Sequence, residues 1–288
     1  MSILFCDTNC ELWWTKAEEL GLKVIRMPYT IDNTEYFYDL GRETDFDWFY
    51  GKVRDRHMPI TSALNSNDYH EYFEPYFKAG EDILYISFSS EMSGTFNYMD
   101  TAVKELSKQY PQARFRRFDT KSISMGAGMQ VYLAAKLFKS GASTDEVYAY
   151  LEKITKNVCV CFAVDDLNHL KRGGRLSGAA AVIGTLFNIK PVIKIGDDGK
   201  LFVDHKESGR KKAIKYIYDL ICENVKEIDK YPIVIEHADC KDDCDLLYSK
   251  IKEKFPTADI WVQPIGPVIG THCGPGTIGA IFMSNKRA

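Results

Sequence analysis

No stretch of this 288-residue chain stays apolar for long enough to cross a bilayer. Its opening residues, Met1 to Asp7, form a short apolar run that ends in an acid. They lack the basic n-region and cleavage site of a secretory signal, so the expected location is the cytosol. The eight cysteines suit that compartment as thiols. The close pairs Cys6 and Cys10, Cys159 and Cys161, and Cys240 and Cys244 do not have zinc-ribbon spacing, and core thiols are expected instead. His57, His70, His169, His205 and His237 are scattered without metal-ligand spacing, so no metal site is called for. A basic excess is also missing. The net charge is −3 and the pI about 6.1, which argues against a nucleic-acid binder. Gly173-Gly174-Arg175 and Gly274-Pro275-Gly276 lack the spacing and the Lys-Ser/Thr of a phosphate loop. No Gly-x-Gly-x-x-Gly follows the first strand, so no nucleotide cofactor is expected. A Gly-x-Ser-x-Gly nucleophile elbow, an internal repeat and a low-complexity segment are absent too.

What is present is a large apolar fraction, 45% of residues, in a chain longer than one typical domain. Two domains with sizeable cores are expected. The charge is uneven. Residues 1–110 hold 19 acids against 10 Lys and Arg, and residues 166–215 hold 11 Lys and Arg against five acids. The second stretch is a local basic zone that could meet an acidic partner, a phosphate or an anionic membrane face, or could be a plain solvated surface.

Apolar runs at Ile3–Phe5, Lys23–Met27, Ile83–Phe88 and Arg114–Asp119 read as strands. Helical patterns lie between them: Glu11–Leu20, Asp45–Arg56 (with Phe46, Phe49 and Val53 on one side), Asn67–Ala79, Phe96–Lys108 and Met125–Lys139. Tyr29–Tyr38 reads as a small hairpin turning at Asp32-Asn33, and Ser143 to Glu146 has the spacing of a capping box. This alternation implies an α/β fold whose N-terminal domain, residues 1–157, is a mostly parallel, Rossmann-like sheet with flanking helices. From Val158 the texture changes to an α+β domain, residues 158–288. It has a hairpin around Gly196–Gly199, a helix over Arg210–Asn224 and strands at Ile233–His237 and Ile260–Gln263. Gly270–Gly276 is expected to be a sharp loop before a last strand, which is left open to pack back on the first domain. A ligand site is expected between the two domains.

The stretch Ser87 to Thr95 stands at the carboxyl end of a strand, where a helix begins. In open α/β sheets ligands bind there, and amides at a helix start favour an anion. Hydroxyls of Ser89, Ser90, Ser93 and Thr95 can add hydrogen bonds, and Gly94 lets backbone come close. The same residues would serve as an ordinary serine-rich helix cap. Thr61-Ser62 and Thr271-His272 are two further hydroxyl- or histidine-bearing loops. His272 could hold an anion or polarise a hydroxyl, or satisfy backbone groups at a turn.

"SSEMSGT" at 89–95, "LKRGGRLSG" at 170–178, "NIKPVI" at 188–193 and "IGTHCGPG" at 269–276 together resemble the DegV family. "CDTN" at 6–9, "MPYTI" at 27–31, "TSALN" at 61–65 and "FDTKSISMGAG" at 118–128 agree with it. The resemblance implies two α/β domains that hold a long-chain fatty acid and present its carboxylate to a separate fatty acid kinase. The acyl-phosphate so made feeds phospholipid synthesis through an acyltransferase at the membrane surface. On this resemblance Thr61 and Ser93 hold the carboxylate with His272 close by. Ser62, Gly94 and Thr95 shape the same pocket end, and Arg175 lies where the kinase docks. Leu64 and Asn65, where relatives more often carry Pro and Ser, and Cys273, where Thr is common, depart from the pattern and bear on pocket shape. The protein is then a carrier, not an enzyme. Two rivals remain: an esterase or acyl transferase using Ser93 and His272, and a small-molecule-binding subunit of a kinase. Ala179–Phe187 is a candidate tunnel lining or plain core.

Overall fold

The structure is a computed structural model that describes residues 2–175 and 189–287. The calls on Leu176–Gly178 and Ala179–Phe187, and Asn188 of the third motif, lie outside the described residues. Two compact units are formed, one by residues 1–44 with 61–155, the other by residues 45–60 with 156–288.

In the first unit β1 (Ser2–Asp7) is followed by α1 (Trp14–Glu19), β2 (Lys23–Ile25) and the hairpin β3 (Pro28–Ile31) and β4 (Thr34–Phe37). The hairpin turns on Asp32 and Asn33, both at positive φ, as a two-residue turn requires. The helix α2 (Phe46–Arg54) belongs to the second unit. A short strand, β5 (Ile60–Thr61), then leads to α3 (Ser66–Lys78), β6 (Asp82–Ser87), α4 (Thr95–Gln109), β7 (Arg114–Asp119), α5 (Met125–Lys139) and α6 (Thr144–Ile154). The order β2-β1-β6-β7 is parallel throughout, as the βα alternation predicts. The strand order reverses between β1 and β6, so the switch-point crevice falls at their carboxyl ends. One face of this sheet packs aromatics edge to face. Phe73 of α3 lies 5.2 Å from Phe5 and 5.0 Å from Phe115 between ring centres. Capping boxes at Asn65/Asp68 and Ser143/Glu146 start α3 and α6.

The second unit is a six-stranded sheet built from β8 (Val158–Ala163), β9 (Ile189–Ile195), β10 (Leu201–Ser208), β11 (Ile233–His237), β12 (Ile260–Pro264) and β13 (Ile278–Met283), in the order β10-β9-β8-β13-β11-β12. Its helices are α7 (Asn168–Arg172), α8 (Arg210–Asn224), α9 (Lys241–Lys254) and α10 (Pro267–Cys273). Ile214, Ile217, Ile221, Leu247 and Ile251 from α8 and α9 join the sheet's apolar residues in a buried core. The sheet is mixed: β13 runs antiparallel between β8 and β11. The last strand, left open above to return to the first domain, is thus paired on both edges within its own unit.

Two further differences from the sequence reading concern local structure. Phe46–Arg54 forms a helix as the periodicity predicts, yet its stripe packs in the second unit, with residues 45–60. The Tyr50 hydroxyl donates to the Ile265 carbonyl at 2.7 Å, and the Arg54 guanidinium pairs with Asp239. The stretch expected as a loop at Gly270–Gly276 is mostly helix. Pro267 sits at the first position of α10, where its fixed φ and missing N–H cost nothing. Gly274, at φ +74°, ends the helix. Gly270 is therefore a packing residue. A Cβ there would meet Tyr50 Oη at 2.6 Å and the Phe49 ring at 3.0 Å. Gly270→Ala is expected to destabilise the protein by about 1–2 kcal/mol despite alanine's better helix propensity, because overpacking costs about 1–3 kcal/mol. A urea melt showing equal or greater stability would contradict that packing. Among the described residues no helix is long and apolar enough to cross a membrane.

Candidate functional site

β6 ends at Ser87, one 3-10 turn follows over Ser90–Met92, and α4 starts at Thr95 with Gly94 as its N-cap. Three of the four hydroxyls here are used to build the loop. Ser89 Oγ accepts the Glu91 amide. Ser90 Oγ donates to Asp119 at 2.5 Å. Thr95 is fully buried, with its hydroxyl 2.9 Å from the Tyr69 hydroxyl and 3.4 Å from the Leu64 carbonyl. Ser93 is different. It is half-buried, and its Oγ accepts the Thr95 amide at 3.2 Å, a bond that does not use its O–H as a donor.

The Thr95–Leu64 contact joins two motifs far apart in sequence. It sets the loop after β5, with Thr61 half-buried and Ser62 exposed, against the loop that carries Ser93 and the exposed Gly94. Thr61 is three residues from Leu64 and Ser93 two from Thr95, so each lies within about 10 Å of chain from that contact.

Beneath this loop lies a buried carboxylate whose importance the sequence reading did not draw out. Asp7 ends β1, where it caps a 3-10 turn by accepting the Asn9 amide at 2.9 Å. It also accepts the Tyr85 hydroxyl at 2.8 Å and, more loosely, the Phe88 amide at 3.5 Å. Burial raises the carboxyl from 3.8 to about 6, against the lowering effect of these donors. Asp119, at the end of β7, goes the other way. Burial would raise it, but hydrogen bonds from Ser90 and Lys121 outweigh that and hold it below the ordinary value. An acid closing the first strand opposite a tyrosine inside the third was the signal available for Asp7.

In the second unit α10 carries Thr271 and His272. Thr271 Oγ1 bonds back to the Pro267 carbonyl at 2.8 Å. His272 is half-buried against the double-glycine turn, so close that a Cβ on Gly173 would lie 2.2 Å from Nδ1. Burial, with the Arg175 guanidinium nearby, pushes its imidazole down to about 4. At neutral pH it is uncharged. Arg175 is half-buried and donates to the Gly173 carbonyl. Burial lowers its pKa, though a guanidinium keeps its charge. Each unit therefore carries a short set of polar groups: Thr61, Ser62, Ser93, Gly94 and Thr95 in the first, His272 and Arg175 in the second. Among the described residues no His, Cys, Asp and Glu cluster could hold a metal.

The family model described as uncharacterised proteins of the DegV family matches residues 3–285. The chain belongs to the DegV family. A DegV domain-containing protein of Clostridium perfringens is 39% identical over 285 residues, 99% of this chain and 98% of its own. The fold is similar to a fatty-acid-binding DegV family protein from Thermus thermophilus, with TM-score 0.87 and 27% identity over 98% of this chain and 99% of that one. It is also similar to DegV of Bacillus subtilis, described as a fatty acid binding protein, with TM-score 0.83 and 27% identity over 98% and 99% of the two chains.

Proposed function

We propose that this protein binds a long-chain fatty acid and holds its carboxylate on the hydroxyls of Thr61 and Ser93. Ser62, Gly94 and Thr95 shape that end of the site. The observation that carries the reading is the Thr95–Leu64 contact, which brings the two hydroxyl loops together at the strand ends. The fatty acids named for the Thermus and Bacillus relatives supply the ligand class. Neutral donors suit a carboxylate that must later be handed over. They fix direction without the grip of a buried ion pair.

In this reading the protein is a carrier. It presents the carboxylate to a separate fatty acid kinase that docks at Arg175, and it delivers acyl-phosphate toward phospholipid synthesis at the membrane surface. Gentle extraction of the purified protein is expected to release fatty acid detectable by mass spectrometry. Protein that is empty and takes up neither oleate nor palmitate at micromolar concentration would end the proposal. Ser93→Ala is expected to weaken oleate binding by about 10- to 100-fold, since a hydrogen bond to a charged group contributes about 1.5–3 kcal/mol. An unchanged affinity in a displacement titration would remove Ser93 from the anchor.

A further inference from the structure

Asp7 is kept fully buried as an acid although burial disfavours its charge, and the proposed carboxylate anchor does not use it directly. Its position explains what the charge can do. One oxygen takes the Asn9 amide and so shapes the turn after β1. The other takes the Tyr85 hydroxyl and faces the Phe88 amide, at the point where β6 gives way to the loop bearing Ser93. Ser89, the next residue, is fixed from the opposite side by its amide bond to the Ser122 carbonyl at 2.7 Å. We infer that Asp7 is a positioning residue for the head-group anchor, acting through Tyr85 and the Phe88 amide to hold the strand end from which Ser93 projects. This rests on the fatty-acid reading above.

The groups that feel the charge are Tyr85 of β6, Tyr69 of α3, and the Cys10 thiol beside it. All are neutral near pH 7, since each is pushed above its ordinary value. An ionised carboxylate accepts from several donors at once, whereas a protonated one must turn one oxygen into a donor. Protonation therefore loosens the strand end, and it does so near pH 6. His272 titrates well below that, at about 4.

The test uses hexadecane sulfonate, whose head group keeps its charge between pH 5 and pH 8, so the ligand itself does not titrate. Wild-type affinity is expected to fall roughly fivefold or more from pH 7.5 to pH 5, in line with the loss of a charge-assisted hydrogen bond. Asp7→Asn is expected to bind weakly at both pH values and to lack the step. Tyr85→Phe should weaken binding at pH 7.5 yet keep the step, because the carboxylate remains. A flat wild-type profile, tighter binding at low pH, or an unaltered step in Asp7→Asn would overturn the inference. If Asp7→Asn fails to fold by circular dichroism, Tyr85→Phe decides, and unchanged affinity there overturns it. Wild-type protein that binds neither oleate nor the sulfonate would instead overturn the fatty-acid reading.

Discussion

Replacing palmitate by laurate, four methylenes shorter, is expected to weaken binding by about 3 kcal/mol, or roughly 200-fold, because each buried methylene contributes about 0.8 kcal/mol. A head-group contact contributes about 1.5–3 kcal/mol. On that scale the tail sets affinity and the hydroxyls set direction. A carrier gains from this division, since a hidden tail and a lightly held head leave the reactive end available to another enzyme. A displacement titration across saturated acids from twelve to eighteen carbons checks it. Affinity that is flat with chain length would mean that the tail is not buried, and the proposed ligand class would fall with it.

The second large effect is on stability. Raising the Asp7 carboxyl from 3.8 to about 6 costs the folded, ionised protein about 3 kcal/mol. Between these values the folded state binds more protons than the unfolded one, so this group's contribution to stability falls as pH rises through the window. The advantage of Asp7→Asn over wild type, whatever its value at pH 4, should therefore grow by about 2 kcal/mol by pH 7 and change little above that. Paired urea melts at pH 4, 5.5, 7 and 8 measure the difference directly. A constant offset between the two proteins would mean that Asp7 titrates alike in both states. A charge retained at such a cost is the pattern expected of a residue kept for what it positions.

Regular elements were legible because their signals are local. The periodicity of Met125–Lys139 and Arg210–Asn224, the Asp32-Asn33 turn and the Ser143–Glu146 cap each give both the element and its ends. The parallel sheet followed from the alternation of strands and helices. What sequence did not yield were facts about which surfaces meet. The apolar stripe of Phe46, Phe49 and Val53 says that α2 must pack, but not against Gly270. The glycines of Gly270–Gly276 looked like loop-formers because an absent side chain signals a turn and a close contact equally well. The hydroxyls around Ser93 were visible as a group. That Thr95 is spent on Tyr69 and Leu64 while Ser93 keeps a donor is decided by burial, which composition does not show. Asp7 passed as a strand-ending acid because its partners Tyr85 and Phe88 lie about eighty residues downstream.

The excursion of residues 45–60 into the second unit also governs how the molecule can be divided. A scission near residue 156 looks natural on paper, yet it leaves two cripples. The front piece keeps a helix whose Phe49 and Tyr50 have lost their seat, and the back piece has a notch at Gly270 with no ring to fill it. Self-sufficient halves would require transplanting that helix onto the rear segment, because the two cores do not follow the order of the chain.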